Sequence, residues 1–466
     1  MEKTGIKQLI VCICVLVIIA SCELSNSPKS PDRQHVSISE KASNDSITVF
    51  LTGNLLGSLK PCGCSGGQLG GLDRRPAIFD TVPKNKRLLI DTGSLVEKKF
   101  EQDIIKFIII TQALDYLNYD IVNLTKQDLE IAHNNGLLGG SSSVNYITPY
   151  DSDEDIAPGY KNELVLDGEK IDILTISYDP EAAPLEYVEK IFPKKEPGTK
   201  NVNILIIDAN ADADFDKIVA DISQLGVVDC IICPINSDEP ALLSKRGEKP
   251  LVCAVGKYGR YISSIVIEKA QDDTLNLSFN DVPLREELKQ DQNLVNLYKT
   301  YQLMVKDEGL LGTNSRFVPP DDLKYVGSEA CESSDCHSEP FKHQYEYAVW
   351  KDNDHSKAYQ TLVDVGSQYD PECIICHVIG YDYTSGFETA EKTPNMKNVG
   401  CEVCHGPGSA HCKDPYNNKT TPIPDTIKLC KTCHTPEHSG DFAGHEEEKL
   451  KIIQHWPEPN DLSSVK

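Results

Sequence analysis

Excess positive charge is what this sequence most lacks. Its 466 residues carry 46 Lys and Arg against 71 Asp and Glu, a formal net charge of −25. Phosphate backbones are held by clustered cations, so this balance argues against nucleic-acid binding. It suits a soluble domain outside the cell, or a partner that offers a basic docking face. Long apolar runs are nearly absent as well. The one continuous stretch, residues 9–20, falls short of the ~20 residues that cross a bilayer comfortably. From residue 324 onward even short apolar strands give out. A segment dominated by Cys, His, Gly, Pro and Tyr cannot build a conventional core from its own side chains, and it needs something else to pack around.

The short apolar run is a targeting signal rather than part of a fold. Lys3 and Lys7 precede it, and Ile19-Ala20-Ser21-Cys22 ends it. Small residues before a cysteine match the bacterial lipoprotein signal, in which Cys22 becomes the lipidated first residue of the mature chain. An uncleaved anchor helix is the alternative, and both readings place the rest of the chain outside the cytoplasm. Several acyl chains on Cys22 hold a protein stably at a membrane surface, where a single chain is marginal.

Between the signal and residue 45 the chain is rich in Ser, Pro, Lys and Asp, which reads as a flexible tether. Residues 46–283 alternate β-branched runs with amphipathic stretches. Strands are expected at 47–51, 87–90, 121–124, 171–176, 202–207 and 228–232, and helices at 103–116 and 214–225. This alternation predicts a layered α/β domain. Residues 284–306 read as an amphipathic connecting helix. A Pro-Pro-Asp-Asp turn after it closes a linker over 284–323, and residues 324–466 form the last domain.

Nine of the 17 cysteines lie beyond residue 330. They form Cys373-Ile-Ile-Cys376-His377, Cys401-Glu-Val-Cys404-His405, Cys430-Lys-Thr-Cys433-His434 and the looser Cys331-Glu-Ser-Ser-Asp-Cys336-His337, with Cys412 left over beside His411. Cys-x-x-Cys-His is the attachment signature of c-type haem. Two thiols form thioethers to one edge of the porphyrin, and the next residue, His, binds the iron from below. Zinc ribbons also use paired Cys-x-x-Cys, but zinc does not require His directly after the second Cys. Disulfides are a further alternative in an exported protein. Four covalent haems c are therefore expected in a mainly α, haem-packed domain, with His337, His377, His405 and His434 as proximal ligands.

Each low-spin iron needs a second axial ligand. His355 follows an aromatic stretch with Tyr345, Tyr347 and Trp350. His411 closes a Gly-Pro-Gly-Ser-Ala-His run, and His455 stands on an expected helix over 446–456. Three such candidates for four haems leave one iron open or bound by another group.

Tyr325-Val-Gly-Ser-Glu-Ala-Cys331, Gly380-Tyr381, the run from Val399 to His411 and Cys430-Lys-Thr-Cys-His-Thr-Pro-Glu437 resemble the tetrahaem cytochrome c family linked to hydroxylamine oxidation. The resemblance implies distal ligation at His355, His411 and His455, and one haem of that family has an open axial position. The four-residue gap between Cys331 and Cys336 departs from the family's usual two. The family holds both carriers and enzymes.

Residues 46–270 resemble, more weakly, the metallophosphoesterase domain of periplasmic 5′-nucleotidases. Thr52-Gly-Asn-Leu-Leu-Gly57, Gly70-Gly-Leu-Asp-Arg74, Asp91-Thr-Gly-Ser94 and Tyr258-Gly-Arg-Tyr261 carry the likeness. A two-metal hydrolase needs carboxylates and imidazoles to bridge its cations. Asn54, Leu56 and Ser94 stand in ligand positions, and Thr125-Lys-Gln-Asp128 and Cys233-Pro-Ile-Asn-Ser237 replace two ligand segments. The resemblance thus implies a fold that has lost its metals. Thiols stand there instead. Cys62-Gly63-Cys64 follows the first strand, and Cys230-Ile-Ile-Cys233 ends another with Cys253 beyond it. Strand ends are where α/β sheets place their sites, so these thiols are candidates for a redox dithiol or a soft-metal site, with structural cysteines as the alternative.

The expectation is an extracytoplasmic, membrane-anchored electron carrier. Its partners are other cytochromes or a quinone-linked reductase, and it binds no nucleic acid. An oxidoreductase acting on a small nitrogen or sulfur compound at an open haem is the alternative. A hydrolase with a cytochrome tail is disfavoured by the missing ligands.

Overall fold

The computed structural model describes residues 46–455 apart from 62–67, 99, 138–141, 151–155, 193–199, 210–212, 235–236, 314–315, 333–335, 339–345, 419–424, 436–437 and 440. These lie in one compact unit, Ser37–Lys466. Cys22, Cys62 and Cys64 fall outside the described residues.

The α/β region holds twelve described strands in two sheets. The first sheet is built from β1 (Ser46–Thr52), β2 (Arg87–Asp91), β3 (Ile121–Asn123), β4 (Asn145–Ile147), β11 (Tyr261–Lys269) and β12 (Leu275–Pro283), in the order β12-β11-β1-β2-β3-β4. The second contains β5 (Gly159–Leu166), β6 (Glu169–Tyr178), β7 (Asn201–Ile207), β8 (Cys230–Ile232), β9 (Ala241–Leu242) and β10 (Leu251–Ala254), in the order β5-β6-β7-β8-β10-β9. In the first sheet β1 to β4 pair in parallel and β11 and β12 add antiparallel; in the second, β6, β7, β8 and β10 are parallel and the edge strands β5 and β9 antiparallel.

Alternation along β1 shows how the layers form. Ile47, Val49 and Leu51 enter a core between the sheets with Ile173, Ile204 and Ile206. Phe50 faces the other way, into a core with Phe79, Phe107 and Ile110. Both faces are covered and all seven residues are buried, the polar Ser46, Thr48 and Thr52 among them. Helices α1 (Arg75–Phe79), α2 (Glu101–Tyr116) and α3 (Lys126–Asn134) flank the first sheet. Helices α4 (Leu185–Ile191) and α5 (Phe215–Gln224) flank the second. The result is a helix–sheet–sheet–helix sandwich.

The expected connecting helix, α6 (Gln292–Asp307), is part of that sandwich. Asp291 caps it by accepting the Asn293 and Leu294 N–H groups at 2.8 and 3.2 Å. Leu294, Tyr301 and Val305 then join the core beside α2. Beyond it come α7 (Glu346–Asp352), α8 (Ala358–Val365), α9 (Pro371–His377), α10 (Cys401–His405), α11 (Ser409–Lys413), α12 (Thr426–Cys430) and α13 (Glu446–Ile453).

This last region does hold a small core of its own, in which Tyr359, Leu362, Ile374, Ile379, Phe387 and Met396 pack together. The sequence expectation of no core is corrected to that extent. After Met396, however, Phe442 is the one buried hydrophobic residue among those described. The other described residues there, about fifty, have little apolar burial to hold them, which matches the space a prosthetic group would fill.

Candidate haem sites

Each attachment motif sits on a short helix or turn with a polar anchor. Asp370 caps α9 by accepting the Glu372 N–H at 3.0 Å, and the helix puts Cys373 and Cys376 three residues apart on one face with His377 next. On α10, the buried Glu402 carboxylate accepts N–H bonds from Val326 (3.0 Å), Gly327 (2.7 Å) and Gly408 (2.7 Å). That one side chain ties the lead-in to the first motif, and the turn after the third, to the helix bearing Cys401 and Cys404. Asp425 caps α12 by accepting the Lys428 N–H at 2.9 Å, ahead of Cys430 and His434. Cys331 ends a 3₁₀ turn, and the His337 N–H reaches its carbonyl at 3.4 Å.

The histidines then pair across motifs. His337 faces His411 with ring centres 6.0 Å apart, His355 faces His434 at 6.1 Å, and His405 faces His455 at 5.9 Å. Two imidazoles bound to one metal, each at about 2 Å, bring their ring centres roughly 6 Å apart. All three distal candidates read from the sequence are thus placed opposite a motif histidine.

Ring orientation is fixed from behind. Nδ1–H is donated to a carbonyl by His377 (Ala358, 2.6 Å), His411 (Asn418, 2.7 Å) and His455 (Ile453, 3.1 Å). His434 Nδ1 is hydrogen-bonded to the Ser439 hydroxyl at 3.0 Å, and His337 donates to Glu346 at 3.4 Å. With Nδ1 occupied, Nε2 is the nitrogen left to a metal. Burial lowers the pKa of His355, His377, His405 and His434, favouring the neutral imidazole a metal requires. His337 is raised by its Glu346 bond.

His355, His377, His405, His434 and His455, with Cys373, Cys376, Cys404, Cys430 and Cys433, line one cavity of about 1130 Å³. That exceeds the ~300–1,000 Å³ of an ordinary small-molecule pocket. Neighbouring motifs touch. The Cys331 thiol lies beside that of Cys401, and the Cys376 thiol beside that of Cys433. Every described cysteine is a free thiol, available for thioether formation. Zinc fits less well, since among the described residues no three His, Cys, Asp or Glu side chains converge on one point.

The opposite wall of the cavity comes from the strand-end face of the α/β region, through Leu56, Lys60, Lys106, Tyr258, Tyr298 and Tyr301. Asn54, Leu56, Ser94 and Tyr258 adopt positive φ there, a conformation that costs non-glycine residues energy. Behind them Asp91 is fully buried. It accepts from the Thr52 hydroxyl at 2.6 Å and the Gly93 N–H at 3.0 Å, and lies 3.9 Å from the Arg75 guanidinium. Arg75 also donates to the Tyr119 hydroxyl at 2.6 Å. Burial pushes the Asp91 carboxyl up, and Arg75 opposes it. Asp128 accepts the Ser94 and Leu95 N–H groups at 2.8 and 3.0 Å, and burial raises it to about 6.

The second cysteine pair is separated. Alternation along β8 sends Cys230 into the core between the sheets, where its thiol meets Cys253, while Cys233 packs into the outer helix-covered core. Their exposures are 0% and 1%, and burial raises both thiols, Cys233 to about 12. Neither reaches a strand-end rim as a reactive pair, which corrects that expectation. The Asp370, Lys106 and Glu402 anchors were not read from the sequence. An acidic residue directly before the Pro371 helix start was the available signal for Asp370.

Residues 330–406 match the family described as cytochrome c554 and c-prime. Cytochrome c-554 of Nitrosomonas europaea is 28% identical over 24% of this chain and 58% of its own length. The 5′-nucleotidase precursor of Thermus thermophilus aligns at 15% identity and a TM-score of 0.41, over 61% of this chain and 63% of its own. The NAD nucleotidase of Haemophilus influenzae aligns at 12% identity and a TM-score of 0.40, over 62% and 64%. This chain therefore spans less than two thirds of the length of each of these relatives. In its C-terminal part, where the motifs and histidine pairs lie, the chain resembles the c554 class of c-type cytochromes, whose haem is covalently attached.

Proposed function

We propose that this protein is an extracytoplasmic electron carrier with four covalent haems c, tethered to a bacterial membrane through lipid on Cys22. The observation that carries this reading is the set of three pairs of a motif histidine with a distal histidine at 5.9–6.1 Å. Cys331, Cys336, Cys373, Cys376, Cys401, Cys404, Cys430 and Cys433 hold the four groups, and His337, His377, His405 and His434 are their proximal ligands. His411, His355 and His455 cap three of them. Bound haem supplies one-electron exchange. The chain contributes ring orientation through Nδ1 anchors, contiguity of the motifs, and a wall that limits water. Close contact between motifs favours relay through the module. The electrons come from and go to other cytochromes or a quinone-linked reductase.

The α/β region serves as a platform for the haem module, without phosphoesterase metals. Arg75 supplies an internal cation beside the buried Asp91 carboxylate. Cys62 and Cys64 are proposed as a dithiol that gives up two electrons and two protons on closing to a disulfide, one electron passing to each of two haems. Their neighbours support this. Pro61 lines the haem cavity, and the Gln68 side chain donates to the His438 carbonyl at 2.9 Å.

The test is haem quantification and electron paramagnetic resonance on oxidised protein made in a host that matures c-type cytochromes. Four haems per chain is the expected result, with the three irons capped by His355, His411 and His455 low-spin. Fewer than four haems overturns the assignment. Four haems with one quarter high-spin shifts the reading to an oxidoreductase with an open iron.

A further inference from the structure

The contact between the α/β region and the second attachment motif is unusually polar for a buried surface. Asp370, 4% exposed, stands one helical turn before Cys373 and accepts that residue's N–H through its carbonyl at 3.1 Å. Its carboxylate is held by donors from the other region. Gln102 on α2 donates to one oxygen at 2.8 Å, and Tyr301 on α6 donates to the other at 2.9 Å. The Glu372 N–H adds a third bond at 3.0 Å. Every one of these partners donates, which favours the ionised carboxylate, as Lys106 also does, against the burial that pushes its pKa up.

The matching cation is Lys106 on α2. It is 5% exposed, and its Nζ lies 2.6 Å from the Glu372 carboxylate. One carboxylate, Asp370, and one ammonium, Lys106, are thus buried beside Cys373 at the edge of the second motif, while the Glu372 carboxylate that meets Lys106 lies at the surface. None of them is a haem ligand in the reading above. Charges in a water-poor setting act strongly on a nearby redox centre, because low dielectric leaves them little screened. A nearby cation disfavours the oxidised, more positive iron, and a nearby anion favours it. Burial and local charge are among the levers that set such potentials.

We infer that Lys106 and Asp370 set the potential of the haem held by Cys373, Cys376 and His377, so that the α/β region tunes one haem of the four. The inference rests on the haem assignment above. Lys106 and Asp370 act as positioning residues whose charge the iron senses. A fused α/β region then has a reason to be there that neither hydrolysis nor simple docking supplies.

Spectropotentiometry of the full-length holoprotein tests this, with haem counted on each sample. Lys106→Met should lower one of the four midpoint potentials by about 59 mV or more, a tenfold change in a one-electron equilibrium, and leave three in place. Asp370→Asn, which keeps the shape of the side chain, should raise the same potential. Lys106→Arg keeps the charge and should restore it. Opposite shifts from the two charge changes cannot come from general loosening of the fold. If four haems are attached and no midpoint moves, or both variants move it the same way, the inference is overturned. A wild-type protein that carries fewer than four haems would instead overturn the haem assignment itself.

Discussion

A histidine that binds a metal needs its ring turned before the metal arrives, and five of the candidate ligand rings are held through Nδ1 by carbonyl, hydroxyl or carboxylate partners. The arrangement costs little in sequence, since three of the partners are backbone carbonyls. It therefore leaves no motif of its own. His411 is the clearest case. Its ring donates to the Asn418 carbonyl at 2.7 Å on one side and faces His337 on the other. Replacing His411 by Met exchanges an imidazole for a thioether, and Met/His ligation raises a haem potential relative to two histidines. One of four midpoint potentials should rise, with the other three unchanged, in a potentiometric titration of the His411→Met protein. If none moves, His411 is not a ligand. The separation of 6 Å is what the sequence could not supply. Spacing identifies the proximal histidines, because covalent attachment fixes His directly after the second Cys. Distal histidines are brought in by the fold from tens of residues away, and only local context marked them.

Elements decide what a sequence spacing means. Cys-x-x-Cys on a helix puts both thiols on one face, as in α9. The same spacing along a strand puts them on opposite faces, as Cys230 and Cys233 show. The strand was expected at 228–232, so its period of two already contained the answer, and reading the pair as a rim dithiol overlooked it. Cys230, Cys233 and Cys253 should resist an alkylating reagent in the native protein and react only after unfolding, while the exposed Cys412 is modified at once. Mass spectrometry after timed labelling reads this directly, and fast native labelling of Cys230 and Cys233 together would restore the redox pair. The same logic explains which elements were legible. Strands such as β1 and β7 are buried on both faces and announce themselves as runs rich in β-branched residues. By contrast, β5 and β12 alternate exposed and half-buried residues at sheet edges, and their composition resembles a loop. The amphipathic pattern of α6 was visible, but pattern alone does not say which core it packs on. Tyr301 and Val305 give the answer by joining the core of the first sheet.

At the scale of the whole molecule, charge and architecture point the same way. Fifty-odd residues after Met396 keep almost no apolar burial among those described, so haem insertion and folding of that region should be one event. The surface that results is strongly acidic, with a formal net charge of −25 for the chain. Such a surface draws in a basic partner over distances set by the Debye length, about 10 Å at 0.1 M salt and about 3 Å at 1 M. Electrostatic steering of this kind raises association rates by roughly 10–10³-fold at low salt. Electron transfer to a small basic cytochrome should therefore be second-order and fast at low ionic strength, and should slow at least tenfold as salt approaches 0.5 M. Stopped-flow absorbance at the haem bands measures it. An acidic partner should show the reverse slope, with salt speeding the reaction by screening repulsion. A rate independent of salt for both partners would mean that the docking patch is locally neutral despite the chain's overall charge, and that apolar contact near the haem edges governs encounter instead.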